Sequence, residues 1–307
     1  MRKSRLLFII ISISLCVSAC SFDNNINNPN ILNPFEDIDD EGTMIMSEYG
    51  HSPYNFPENF MFYYQGGILE IPYIFFGGRV DSEVGLLIFI DGVVQPYFIS
   101  GLEELPDYMH IFNIEANSEK VYMLNIIPTA GVAGDYLQLN FVCIDFPSLD
   151  GSDAAMLDLQ NMSATISWTL AFLENSPYNH GLPSYKKAEI VDVFIEGNYD
   201  GSDFYFEIDN ESENPNSIRI IAYKERSGIY RTTIFINNSP VIIDGSNNFF
   251  EYNASRNQRL IYEFEINIEN LNNINIIYAI SISLSNDTGE NTIDVFKANS
   301  EIIKLMN

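Results

Sequence analysis

A segment near the N-terminus has the ligand spacing of a calcium-binding loop. Its acidic residues and glycine occupy positions 1, 3, 5, 6 and 12 of such a loop: Asp37, Asp39, Glu41, Gly42 and Glu48. This spacing curls carboxylate oxygens around one hard cation. Prolines on both sides exclude the flanking helices that hold an EF-hand loop in place. We therefore interpret the segment first as a solvated acidic run and second as a calcium site, and we assign no metal ligand and no cofactor.

The sequence contains no recognisable catalytic motif. Its three histidines, His51, His110 and His180, are far apart. The chain has no nucleophile elbow, no zinc-protease motif and no glycine-rich phosphate loop. Among its 42 acidic residues no spacing singles out a pair for glycoside hydrolysis. We predict that the protein is not an enzyme, with a hydrolase that uses an unrecognised carboxylate site as an alternative.

Cys143 is a candidate nucleophile by residue type alone. It alternates with Leu139 and Phe141 along a segment with the pattern of a β-strand. That alternation predicts a thiol inside the core, whereas a reactive cysteine needs exposure and a basic neighbour. We therefore expect Cys143 to be buried and unreactive.

The first twenty residues have the organisation of an export signal. Arg2, Lys3 and Arg5 form a basic region, and an apolar run follows over residues 6–17. The run is shorter than the roughly 20 residues that a membrane-spanning helix needs. It ends in Val17-Ser18-Ala19-Cys20, which resembles the lipobox of bacterial lipoproteins.

The lipobox resemblance implies a processing site and an anchor. Cleavage would fall between Ala19 and Cys20, and the Cys20 thiol would carry a diacylglycerol with palmitate-like chains. Two acyl chains hold a protein stably at a membrane, since each buried methylene contributes about 0.8 kcal/mol. We expect an extracytoplasmic protein, anchored to the bacterial cell membrane and displayed at the cell surface.

Composition limits the partners of the mature chain. The 42 acidic and 15 basic residues give a net charge of −27, which becomes −30 without the three basic residues of the leader. Such a surface repels phosphate backbones, so we expect no nucleic acid partner. Beyond Cys20 the only cysteine is Cys143, so no disulfide can stabilise the folded part.

Alternation of apolar and polar residues with a period of two is the dominant pattern of the chain. It covers residues 137–143, 164–172, 204–208 and 260–268. A period of two predicts strands with one buried face. The strands are expected to dominate, with helix limited to short segments near 154–159 and 300–306.

Two short sequences predict tight hairpin turns. Asp91-Gly92 lies between two apolar segments, and Asn237-Asn238 follows another. These residue types accept the positive φ angles of a type I′ turn. The two turns lie at an offset of 146 residues (237 − 91), which is consistent with an internal duplication or with the common rhythm of two sandwiches.

These patterns predict an all-β fold with two tandem antiparallel β-sandwich domains. The segments are a signal peptide (1–19), a flexible Asn- and Pro-rich tether (20–43), a first sandwich (44–150), a connector (151–184) and a second sandwich (185–307). The connector contains a predicted strand around Trp168, which could belong to either domain.

One segment carries a resemblance to a family. Residues 85–97, Gly-Leu-Leu-Ile-Phe-Ile-Asp-Gly-Val-Val-Gln-Pro-Tyr, resemble tandem immunoglobulin-like lipoproteins of Gram-positive anaerobes. The resemblance implies an immunoglobulin-like sandwich at the cell surface, and it transfers no functional residue.

Nine aromatic residues crowd into residues 54–76, where they serve either the core or a binding surface. They are Tyr54, Phe56, Phe60, Phe62, Tyr63, Tyr64, Tyr73, Phe75 and Phe76. We expect mostly core packing. The predicted function is a cell-surface lipoprotein that binds a protein partner or supports a surface assembly, with a carbohydrate or cell-wall glycan-binding module as the alternative. A flat strip of exposed aromatics on one sheet would favour the glycan, and a compact apolar patch would favour a protein.

Overall fold

The chain folds into β-strands joined by turns and loops in a computed structural model. The structure describes residues 49–54, 61–102, 105–148, 162–178, 204–208, 217–223, 228–242, 248–254, 259–265, 274–284, 295–297 and 301–304. Within these ranges there is no α-helix, and therefore none that could cross a membrane. The prediction of an all-β fold is confirmed.

Ten strands of the first part of the chain form two sheets. The strands are β1 (Tyr49–Pro53), β2 (Met61–Tyr64), β3 (Leu69–Gly77), β4 (Ser82–Ile90), β5 (Val93–Gln95), β6 (Tyr97–Ile99), β7 (Met109–Ile114), β8 (Glu119–Ile126), β9 (Tyr136–Asp145) and β10 (Met162–Phe172). Sheet A has the order β1-β3-β8-β6. Sheet B has the order β2-β10-β9-β4-β5, and β7 also pairs with β4.

Nine strands of the remaining described residues form two more sheets. They are β11 (Phe204–Ile208), β12 (Ser217–Tyr223), β13 (Gly228–Ile236), β14 (Ser239–Pro240), β15 (Phe250–Ala254), β16 (Arg259–Glu265), β17 (Ile274–Ser283), β18 (Val295–Lys297) and β19 (Glu301–Lys304). Sheet C has the order β11-β12-β16. Sheet D has the order β14-β13-β17-β18, with β15 on β13 and β19 on β17.

Sheets A and B pack face to face as a β-sandwich. Alternate residues of most of their strands meet in one hydrophobic cluster between the sheets. Tyr73 of β3 lies 4.9 Å from Phe141 of β9 between ring centroids, and Phe75 lies 4.8 Å from Phe112 of β7. This cluster is the core that sets the spacing of the two sheets.

Part of the second face of sheet B, on β4, β5, β7 and β9, is also buried, against sheet D. Leu87, Phe89 and Val142 belong to a cluster that also contains Ile234 and Phe235 of β13. The rings of Phe89 and Phe235 meet edge to face at 6.5 Å. The two halves of the chain therefore share a hydrophobic cluster, and their division into the two predicted domains stays a prediction.

A buried arginine reinforces the contact between sheets B and D. Arg231 of β13 donates from Nη1 to the Asp91 carboxylate at 2.7 Å and from Nε to the Glu251 carboxylate at 3.0 Å. Farther along the same contact, Asn238 Nδ2 donates to the carbonyl oxygen of Pro147 at 2.8 Å. The arginine thus holds the β4–β5 turn against sheet D.

Both predicted hairpin turns are confirmed. Asp91 and Gly92 have φ angles of 50° and 73°, and Asn237 and Asn238 have φ angles of 49° and 67°. Two successive positive φ values are the signature of a type I′ turn.

One predicted helix is wrong. Residues 300–306 were expected to be helical, but Glu301–Lys304 is strand β19, antiparallel to β17. Backbone pairing with the edge of sheet D overrides a weak local preference. The other predicted helix, at 154–159, lies outside the described residues.

The strand around Trp168 belongs to sheet B. It is β10, which pairs antiparallel with β9 and parallel with β2. The parallel pair is an exception to the predicted antiparallel order. It joins strands that are about one hundred residues apart in the sequence.

Candidate functional site

The aromatic segment divides between the core and the surface. Phe62, Tyr64, Tyr73 and Phe75 join the sandwich core. The exposed members among the described residues are Tyr54, Tyr63 and Phe76, whereas Phe56 and Phe60 lie outside the described residues. Core packing is thus confirmed for part of the segment, and Tyr63 is available for binding.

The sandwich has two distinguishable ends. Tyr49, the first described residue, pairs with Gly77 at the end of β3. Strand β3 starts at Leu69, just after the turn that follows Tyr64. The eight steps between the nine residues of β3, at about 3.3 Å each, put the two ends roughly 26 Å apart. The end that contains Tyr64, which we call the distal end, is therefore opposite to the entry of the chain.

Exposed apolar side chains collect at the distal end. Tyr63 and Tyr136 are 50% and 69% exposed. Four more lie on the adjoining turns: Ile68, Val132, Leu173 and Tyr178. A group of this kind marks an interaction surface more often than scattered single residues do.

Two tyrosines flank one alanine across three strands of sheet B. Ala171 of β10 pairs with Tyr136 of β9 on one side and with Tyr63 of β2 on the other. Strand spacing places the tyrosine Cα atoms about 10 Å apart on the same face. Ala171 is itself buried and carries only a methyl group, so the central strand puts no bulky side chain between the two phenols.

An uncharged row lies beside the tyrosine row. Thr169 pairs with Gln138 of β9 and with Met61 of β2, two residues before the first row on the same face. All three side chains are partly buried. We call the two rows, Tyr136-Ala171-Tyr63 and Gln138-Thr169-Met61, the open face; they contain no charged side chain.

Backbone hydrogen bonds fix the loops around the open face. Ser176 donates from its backbone N to the Gly131 oxygen at 2.9 Å and from its hydroxyl to the Pro128 oxygen at 2.6 Å. Gly131 has a φ of 123°, and a Cβ there would lie 2.4 Å from the Phe172 ring. The loop therefore requires glycine at this position and packs directly on the end of β10.

His51 lies in an aromatic environment on β1. Its Nδ1 hydrogen-bonds the Tyr73 hydroxyl, and its ring centroid lies 5.8 Å from that of Tyr73. Burial lowers the pKa of His51 from 6.5 to about 4, because the surroundings do not solvate an imidazolium. The neutral ring serves the packing of β1 on β3.

Cys143 is buried as predicted, in the core between sheets A and B. Burial raises the pKa of its thiol, which disfavours the nucleophilic thiolate. His110 bonds through Nε2 to the Tyr97 carbonyl oxygen at 2.7 Å. In the described part of the chain, His51, His110 and Cys143 thus contribute to packing.

The other sites proposed from the sequence lie outside the described residues. These are Ala19, Cys20, the acidic segment of residues 37–48 and His180. Within the described part of the chain, no group of three or more His, Cys, Asp or Glu side chains could hold a metal ion.

Sequence reasoning did not single out Tyr136. The alternation that pointed Leu137 inward also pointed Tyr136 outward, so its exposure was readable from the sequence. The alignment of Tyr136 with Tyr63 could not be predicted from the sequence, because it depends on the pairing of β10 with both β9 and β2.

No family model matches this chain, and no curated protein sequence matches it. Several solved structures are similar at a low level. The collagen adhesin CNA of S. aureus is 7% identical over 84% of this chain and 93% of that chain, with a TM-score of 0.21. The CsuC-CsuE chaperone–tip adhesion subunit complex of Acinetobacter baumannii is 9% identical over 82% and 98%, with a TM-score of 0.21.

A third solved structure matches a shorter part of the chain. WR4, an MSP family member of C. elegans, is 10% identical over 41% of this chain and 97% of that chain, with a TM-score of 0.23. At these scores the similarities carry no argument about function.

Proposed function

We propose that this protein is a bacterial lipoprotein that is anchored outside the cell membrane through Cys20 and binds a ligand at its distal end, without catalysis. The ligand is a protein partner or a component of a surface assembly in one alternative, and a glycan in the other. The lipobox-like leader supports the anchor, and the exposed side chains of the distal end support binding.

The observation that carries the proposal is the position of the exposed aromatics. Residues 1–48 join the sandwich at Tyr49, and Tyr63 and Tyr136 lie at the opposite end of the strands. A lipid at the far end of that segment would attach to the sandwich at the end opposite to these tyrosines. The point of attachment would then leave the binding surface unobstructed.

The arrangement of the titratable side chains supports a non-catalytic role. His51 and Cys143 are held in aromatic and apolar surroundings, and each has a pKa shifted in the direction that suppresses its charged form. A general base works best with a pKa near the working pH, well above that of His51, and a cysteine nucleophile needs the thiolate that burial disfavours at Cys143.

Replacing Cys20 by Ala is expected to abolish anchoring, because the thioether to the lipid can no longer form. The measurement is the fraction of the chain that sediments with membranes, together with the mass of its N-terminal peptide. We expect the wild type to sediment and to start at a lipidated Cys20, and the variant to keep its leader or to be released.

Cys16→Ala is the matched control for the anchor, since that cysteine belongs to the leader and would be discarded with it. It should leave membrane sedimentation unchanged. If Cys20→Ala matured and sedimented like the wild type, the proposed anchor would be wrong.

The binding role is tested by a photo-reactive side chain at the distal end. With Tyr63→p-benzoylphenylalanine, irradiation of intact cells should link the chain to its ligand, whether protein or glycan, since benzophenone inserts into C–H bonds of both. The measurement is a slower band on a denaturing gel that depends on irradiation.

Tyr54→p-benzoylphenylalanine is the control for that experiment, because Tyr54 is also exposed but lies next to sheet A, where its backbone N donates to Pro72. We expect no linked product from this position. Linkage from Tyr54 alone, or from neither position, would contradict binding at the distal end.

A further inference from the structure

We propose that the open face binds a neutral polysaccharide chain. The inference deepens the proposed function and rests on it, since it assigns a ligand class to the distal end. It depends on three observations: the geometry of the two exposed rings, the uncharged hydrogen-bonding row beside them, and the contrast between this strip and the charge of the chain.

The two tyrosines suit the apolar faces of sugar rings. Tyr63 and Tyr136 stand on one sheet face, one strand to either side of Ala171. The face of an aromatic ring carries negative charge density, which attracts the slightly positive C–H groups of a pyranose ring. Two tyrosines whose Cα atoms lie about 10 Å apart would contact successive parts of one extended chain.

The second row supplies the polar contacts that sugars require. Gln138 and Thr169 lie side by side next to the tyrosine row. An amide and a hydroxyl each donate and accept hydrogen bonds, as do sugar hydroxyls. Met61 completes the row with a flexible apolar side chain that adapts to different contacts.

Charge favours an uncharged ligand. The chain has 42 acidic residues against 15 basic ones, yet neither row of the open face has a charged side chain. The field of the whole chain would repel an acidic polymer, and the Asp91 carboxylate that lies next to Gln138 is already paired with Arg231, so it does not select a cationic one. Neither effect acts on a neutral polysaccharide, because it carries no charge.

The test is electrophoresis of the full chain, in detergent, through native gels that contain a neutral polysaccharide. Hydroxyethyl cellulose, laminarin, galactomannan and dextran are used separately. The net charge, −27 with the leader and −30 without it, drives the protein through the gel, and an uncharged polymer that binds the protein slows it. We expect at least one of the four polymers to slow the wild type.

Variants of the two tyrosines locate the binding. Tyr63→Ala and Tyr136→Ala should each weaken binding about tenfold, and together more strongly. The Tyr63→Phe, Tyr136→Phe double variant keeps both rings and should stay within about threefold of the wild type. Tyr54→Ala, an exposed tyrosine outside the open face, should not change the migration.

Two results would overturn the inference: none of the four polymers slows the wild type, or the double alanine variant migrates like the wild type in the polymer that does. If no polymer binds but the benzophenone at Tyr63 still captures a protein, the ligand class is wrong and the proposed function stands. If neither experiment gives a product, both fall.

Discussion

Replacing Arg231 by methionine is expected to lower the free energy of unfolding by about 3 kcal/mol. Arg231 is 4% exposed and pairs with Asp91 and Glu251, whose side chains are each 22% exposed. Methionine fills much of the volume of arginine but leaves the two carboxylates without the cation that bridges them. The effect is the loss of compensation for these charges rather than the loss of packing.

Urea unfolding followed by the fluorescence of Trp168 measures this effect. Trp168 is the only tryptophan and lies in β10 of sheet B, whereas Arg231 lies in sheet D. Because the two sheets share a hydrophobic cluster, we expect the Arg231 variant to move the Trp168 transition.

Two further variants separate charge from packing at this site. Arg231→Lys keeps the charge but cannot span both carboxylates, so about half of the loss should remain. Adding Asp91→Asn and Glu251→Gln to Arg231→Met should recover part of the stability. A Trp168 transition that does not respond to Arg231→Met would show that sheets B and D unfold independently.

Acidification from pH 6.5 to 4 is expected to cost about 3 kcal/mol of stability through His51. Above pH 6.5 the ring is neutral in both the folded and the unfolded chain. Between pH 6.5 and about 4 only the unfolded chain takes up the proton, so falling pH favours unfolding. Below about pH 4 both forms are protonated and the loss is complete, at about 1.4 kcal/mol per unit of pKa difference.

His51→Gln isolates this contribution, because glutamine still accepts a hydrogen bond from the Tyr73 hydroxyl and does not titrate. The measurement is the difference in unfolding free energy between wild type and variant at pH 7 and at pH 4.5. We expect the wild type to lose more stability over this interval. Equal losses would mean that the folded chain accommodates the imidazolium.

Local patterns predicted the parts of the fold that depend on neighbouring residues. The period of two located β9 and β10 and placed Cys143 in the core. The turn residues at Asp91-Gly92 and Asn237-Asn238 gave the correct backbone geometry. Each of these features is decided within a few residues, by side-chain alternation or by tolerance of positive φ.

These local patterns could not predict contacts between segments that are distant in the sequence. The pairing of β2 with β10 and the burial of Phe89 against Phe235 both join parts of the chain that are remote in sequence. A continuous apolar run such as β4 predicts a strand buried on both faces, but not which sheet covers each face. The residues of β19 show the same limit, since the edge of β17 decides their conformation.

The candidate site combines both kinds of information. Exposure of Tyr136 follows from the alternation of its own strand, whereas its alignment with Tyr63 follows only from the register of three strands. The sequence therefore indicated a surplus of aromatics, and the register shows which of them share a surface.

The pairing of β1 with β3 decides how this protein would carry mechanical load. The chain enters at Tyr49, and β1 runs along β3 through five residue pairs up to Pro53. A pull between an anchor before Tyr49 and a ligand at the distal end acts parallel to these strands. Under such shear all hydrogen bonds between β1 and β3 bear the force together, whereas a perpendicular pull would open them one after another. The geometry suits attachment under tension.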